Sequence, residues 1–130
     1  MTKPSDLPRP TDAELEILTV LWGRGPATVR DVHSTIARRR AAQYTTILKL
    51  MQIMADKGLV KRDEKQRAHV YSASKPREWT QRQLAGHLLE RAFAGSASSL
   101  MVGALAARKA SAAELTELRK LLEEYERTKR

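Results

Sequence analysis

Thr45, Lys49, Gln52 and Asp56 follow one another at intervals of four, three and four residues, which aligns them along one side of an α-helix. Thr46 stands at the flank of that side, while Ile47, Met51, Met54 and Gly58 fall opposite. Threonine, glutamine and lysine offer short hydrogen-bonding groups, a methyl and a single cation. Such groups reach base edges and the thymine methyl in the major groove of DNA, whereas bulky charge all round would bind phosphates only. Any solvated amphipathic helix also has a polar face, so the neighbouring segments must decide.

Those segments supply a scaffold. Thr28 is placed to cap a helix that carries Val29, Val32 and Ile36 on one face and ends in Arg38-Arg39-Arg40. The short connection from Arg40 to Gln43 leads into the helix of interest, expected from about Tyr44 to Lys57, with Gly58 as a left-handed stop. The pair reads as a helix-turn-helix. Two short strand candidates follow, Leu59-Val60-Lys61-Arg62 and Ala68-His69-Val70-Tyr71, joined by a polar turn from Asp63 to Arg67. Lys61, Arg62, Lys65 and Arg67 stand in or beside that turn. Cations on both flanks of a groove-reading helix contact phosphates and release counterions, although an arginine run also favours a helix C-terminus by itself. Thr45, Thr46, Lys49 and Gln52 are therefore the candidate base readers. Thr28, Arg40, Tyr44, Arg62, Lys65 and Arg67 are the candidate phosphate contacts.

Ahead of this module, residues 1–10 hold three of the five prolines and read as a flexible leader. Thr11-Asp12-Ala13-Glu14 is a capping box for a first helix expected to bury Leu15, Leu18, Leu21 and Trp22 before Gly23-Arg24-Gly25-Pro26. After the hairpin, Ser74-Lys75-Pro76 marks a boundary. The remainder reads as three helices: Trp79 to Phe93, Ala97 to Ala110, and one begun by the box Ser111-Ala112-Ala113-Glu114. The last places Leu115, Leu118, Leu122 and Tyr125 in a 3-4-3 rhythm.

Charge follows the same division. The 130 residues carry a net charge of +9, which favours a polyanionic partner. Residues 1–77 hold fifteen basic and eight acidic side chains, and residues 78–130 hold nine and seven. The absence of cysteine excludes disulfides, thiolate metal sites and cysteine nucleophiles, and suits a reducing cytoplasm. His33, His69 and His87 lie on separate elements without metal-site spacing. Trp22 and Trp79 suit core or interface, Met51 and Met54 suit core, and Glu114, Glu117, Glu123 and Glu124 suit a solvated face. No catalytic pair or glycine-rich phosphate loop is present, so neither an enzyme nor a cofactor is expected.

The run Ala42-Gln43-Tyr44-Thr45-Thr46-Ile47-Leu48-Lys49-Leu50-Met51-Gln52, continuing to Lys57-Gly58-Leu59-Val60, resembles the recognition helix and exit of the penicillinase-repressor family. Glu14 to Leu18 with Leu21-Trp22, and Arg67 to Tyr71, are similar to that family too, over residues 10–127 in all. The resemblance implies a mainly α protein with a winged helix-turn-helix over 11–75, formed by three helices and a β-hairpin wing. A three-helix dimerisation region would cover 76–130. It implies a homodimeric repressor on a pseudo-palindromic double-stranded DNA operator, with Trp79, Leu84, Leu88, Phe93, Leu100, Leu115, Leu118, Leu122 and Tyr125 joining the copies. Gln66 stands where a glycine is common, which implies a differently shaped wing turn.

In some members a protease induced by antibiotic cuts the dimerisation region between Asn and Phe. The matching region here is Val102, Gly103 and Ala104, with Gly103-Ala104 replacing that pair. A membrane metalloprotease sensor is thus a candidate partner that would need a different cleavage specificity. Two other readings stay open: a non-specific RNA or nucleoid binder, disfavoured by the few aromatics, and a helical protein–protein adaptor.

Overall fold

The computed structural model describes residues 7–129. Its elements are α1 (Asp12–Arg24), α2 (Val29–Ala37), α3 (Tyr44–Lys57), β1 (Val60–Asp63), β2 (Val70–Ala73), α4 (Arg77–Ala92), α5 (Ala97–Ala107) and α6 (Ala112–Lys129). They divide into two compact units, one ending at Leu84 and the other starting at Ala85.

In the first unit, α1, α2 and α3 enclose one aliphatic core. Val29, Val32 and Ile36 meet Ile47, Met51 and Met54, so the inner faces expected of α2 and α3 are the buried ones. On α1 the inner face is rotated from expectation. Ile17 and Val20 join Leu18 and Leu21 in the core, whereas Leu15 and Trp22 are half-buried. Trp22 instead bridges to the start of α4. Its indole N–H donates to the Lys75 carbonyl at 3.0 Å, and the Arg77 guanidinium lies 5.9 Å from its ring centre. With Thr80 buried as well, the start of α4 is tied to α1, and the first unit extends past the boundary expected at residue 75. In the leader, Leu7 is half-buried, and its side chain would meet a Cβ on Gly58 at 3.1 Å.

The hairpin pairs Val60 with Ala73, Lys61 with Ser72, Arg62 with Tyr71 and Asp63 with Val70. The second strand therefore begins two residues later than the alternation suggests. This register puts Val60 and Tyr71 on the inner face, where both are buried, and leaves Ala68 and His69 in an exposed tip. Tyr71 also exchanges two backbone hydrogen bonds with Ala27, at 2.8 and 2.9 Å, which anchors the hairpin to the entrance of α2.

Glu14 closes the unit. It completes the capping box with Thr11, and its other carboxylate oxygen accepts from Lys57 Nζ at 2.8 Å, joining the start of α1 to the end of α3. It is 1% exposed. Burial raises its carboxyl, but the Lys57 and Thr11 hydrogen bonds and the Lys57 charge offset this and hold it below its ordinary value. Its contribution is thus present above the ordinary carboxylate range, near 4.3, and is lost as pH falls through the lower native value. Glu14→Gln keeps the shape, removes the charge and leaves Lys57 without it. Urea unfolding near pH 7 should show a loss of about 2 kcal/mol, and that loss should shrink by about pH 3. An equal loss at both pH values would show that the charge is irrelevant.

In the second unit no described residue is buried, and Leu89, Phe93, Leu100 and Leu118 are only half-buried. Ser96 and Ser111 cap α5 and α6, accepting from the amides of Ser99 and Glu114 at 3.1 Å each. Local capping thus forms the helices while their apolar side chains stay largely uncovered.

Candidate nucleic-acid interface

The outer side of α3 carries the candidate base readers. Thr45, Thr46, Lys49 and Gln52 are all exposed. Lys49 has no salt bridge among the described residues, so its ammonium is available to an acceptor. The N-terminus of α3 has no side-chain cap, because Gln43 makes no capping hydrogen bond. Its first amides are therefore open to an anion.

Beside the polar row lies an open groove of about 610 Å³ between α3, the first turn of α2 and the hairpin tip. Thr28, Tyr44, Gln52 and Arg67 line it together, so four candidates from three separate elements converge. Arg30 and His69 line the same groove. Sequence patterning does not single these two out for this site, because alternation puts His69 inside a strand and Arg30 is one arginine among many.

The six candidate phosphate contacts are not equivalent. Thr28 Oγ1 accepts from the Asp31 amide at 3.2 Å. The Thr28 amide and hydroxyl in turn hold the Asp31 carboxyl below its ordinary value, and it stays ionised at the mouth of α2. Tyr44 is exposed and meets His33 edge to face, with ring centres 5.6 Å apart. His33 Nε2 lies 2.8 Å from the Ala42 carbonyl, so the imidazole fastens the turn that presents Tyr44. Lys65 and Arg67 are exposed and without salt bridges among the described residues. Arg62 pairs with Glu64 at 2.8 Å. Arg40 stands apart: its Nε lies 3.1 Å from both oxygens of Glu16, and the fork is closed through Nη2. The Arg40 hydrogen bond in turn lowers the Glu16 carboxyl. A phosphate at Arg40 would have to displace Glu16, just as one at Arg62 would displace Glu64. Arg38 and Arg39 have no salt bridge among the described residues and line a different notch with Arg24.

The candidate joining residues divide as well. Leu88, Leu115, Leu122 and Tyr125 are exposed, whereas Phe93, Leu100 and Leu118 are half-buried within the second unit. Trp79 and Leu84 belong to the first unit, where Lys75 Nζ sits 5.3 Å from the Trp79 ring centre. Val102, Gly103 and Ala104 are helical in α5, and a Cβ on Gly103 would meet the Phe93 ring at 3.3 Å.

Among the described residues no cluster of three or more His, Cys, Asp or Glu side chains suits a metal ion. No helix among them is long and apolar enough to cross a membrane.

Comparison with known proteins agrees with this architecture. The solution structure of the DNA binding domain of the repressor BlaI superposes with a TM-score of 0.51 at 23% identity, over 59% of this chain and 90% of that one. This establishes the winged-helix fold. The transcriptional regulator BlaI of Mycobacterium tuberculosis is 40% identical over 67 residues. That match spans 51% of this chain and 49% of the relative, about half the length of each. The penicillinase repressor of Bacillus licheniformis is 23% identical over 124 residues, 95% of this chain and 97% of that protein. The family profile described as penicillinase repressor matches residues 10–124. The chain belongs to the penicillinase repressor family.

Proposed function

We propose that this protein is a sequence-specific DNA-binding transcriptional repressor that acts as a homodimer on a pseudo-palindromic operator. The observation that carries the reading is the convergence of Thr28, Tyr44, Gln52 and Arg67 around a groove beside an α3 whose outer row is polar and free. In this reading α3 enters a major groove, Thr45, Thr46, Lys49 and Gln52 meet base edges, and Thr28, Tyr44, Lys65 and Arg67 hold the adjacent phosphates. Arg62 joins them once it releases Glu64.

Homodimerisation is supported by the second unit, where Leu122 and Tyr125 are 61% and 64% exposed on a helix with no buried residue. A second copy would cover those side chains and convert two weak half-site contacts into one stronger one. Anything that separates the copies would then lift repression. A membrane metalloprotease sensor is one such agent, acting on Val102, Gly103 and Ala104. Because that stretch is helical and Gly103 backs onto Phe93, the turn would have to unwind before cleavage. The protein would work in the cytoplasm, without catalysis.

The test is competition at fixed salt. A duplex enriched by the full-length protein from a random-sequence pool should resist displacement by an equal mass of random duplex. If the random duplex competes equally well, the protein is a non-specific nucleic-acid binder and the repressor reading fails.

A further inference from the structure

Thr45, Thr46, Lys49, Leu50 and Ile53 line one shallow depression along α3, on the flank away from the groove that holds Gln52. Ile53 lies one turn beyond Lys49 and two turns beyond Thr46, so it belongs beside the polar row. It is half-buried and, unlike Leu48, Leu50 and Ala55, takes no part in the core packing. An isoleucine at this position leaves part of its apolar surface uncovered by the fold. Its surroundings limit what could cover it. Thr45, Thr46 and Lys49 share the depression, and an ammonium at its lip suits a polyanion better than an apolar protein surface. The strip is also only one or two side chains wide. Thymine C5-methyls are the apolar groups that the major groove presents, and they are of this size.

We infer that Ile53, with Leu50 behind it, is a specificity-determining position that recognises thymine methyl groups in the operator half-site. The inference rests on the DNA-binding reading above and adds a second lane to α3. The polar lane of Thr45, Lys49 and Gln52 reads hydrogen-bonding groups, and the apolar lane of Thr46, Leu50 and Ile53 reads methyls.

Replacing thymine by deoxyuridine removes the methyl and leaves the protein and all base-pair hydrogen bonds unchanged. The duplex enriched from the random pool is synthesised with deoxyuridine at one thymine position at a time, and binding by the full-length protein is measured at fixed salt. At one or two positions per half-site the wild-type protein should lose about fourfold in affinity. Ile53→Ala should bind the thymine and deoxyuridine duplexes equally at those positions. Because Ile53 lies outside the core, the variant should stay folded and melt cooperatively, with at most a small drop in midpoint. Equal wild-type binding to both duplexes at every position, full thymine preference in Ile53→Ala, or an enriched half-site without thymine would each overturn the inference and leave the repressor reading standing. A pool from which nothing is enriched would overturn both.

Discussion

The double variant Lys49→Ala, Arg67→Ala should bind its enriched duplex about a hundredfold more weakly than the wild type, with the oligomeric state unchanged. The two side chains contribute by different physics. Lys49 projects from the middle of the α3 polar row without a salt bridge among the described residues, and a base contact of that kind is worth about 1–3 kcal/mol against a wrong base. Lys49→Ala alone should therefore relax sequence preference. Arg67 stands across the groove on the hairpin tip with Thr28 and Tyr44, and its proposed partner there is a phosphate. Arg67→Ala alone should weaken all duplexes alike and reduce the slope of log affinity against log salt by about 0.9. The two single-variant signatures differ, so equilibrium binding on matched and mismatched duplexes across a salt series distinguishes them. Wild-type affinity in the double variant would place the DNA surface elsewhere, and an unchanged biological effect would favour the helical adaptor.

Leu122→Asp should convert the protein to a monomer and cost about a hundredfold or more on a duplex carrying two half-sites. Leu122 is 61% exposed within its own chain, so the charge has little to disrupt in the isolated copy. Between two copies it would bury an unpaired carboxylate, which costs several kcal/mol. Sedimentation velocity reads the oligomeric state, and gel shift on one-site and two-site duplexes reads the consequence. One-site affinity should hardly change, because α6 and α3 lie in different compact units. A variant that sediments as a dimer, or a wild type that is monomeric at micromolar concentration, would remove the role proposed for the second unit.

The buried faces of α2 and α3 and the bounds of α3 were legible in the sequence because their signals are local, although α2 stops at Ala37, before the three arginines. The 3.6-residue period put Ile47, Met51 and Met54 inside and Thr45, Lys49 and Gln52 outside, and Gly58 stops α3 with a φ of 85° that other residues adopt only under strain. Thr11 and Thr28 announced their helices by hydroxyls that satisfy amides three residues away. What depended on distant partners was not legible. The α1 period allowed two neighbouring faces, and contact with α2 and α3 chose the one with Ile17 and Val20. The hairpin register followed from pairing Tyr71 with Ala27, not from alternation within the strand. Arg40, one of three identical neighbours, was committed by a glutamate 24 positions earlier.

Helix period, caps and net charge act over a few residues or over the whole chain, and so the helix-turn-helix, its polar outer row and the basic balance of +9 could be read from the residues alone. Ion-pair partners, strand register and convergent grooves require segments tens of residues apart to meet at hydrogen-bonding distance. Tertiary contact alone therefore brings Glu14 to Lys57, pairs Arg40 with Glu16, puts His69 in the groove with Thr28 and leaves Ile53 beside the polar row of α3.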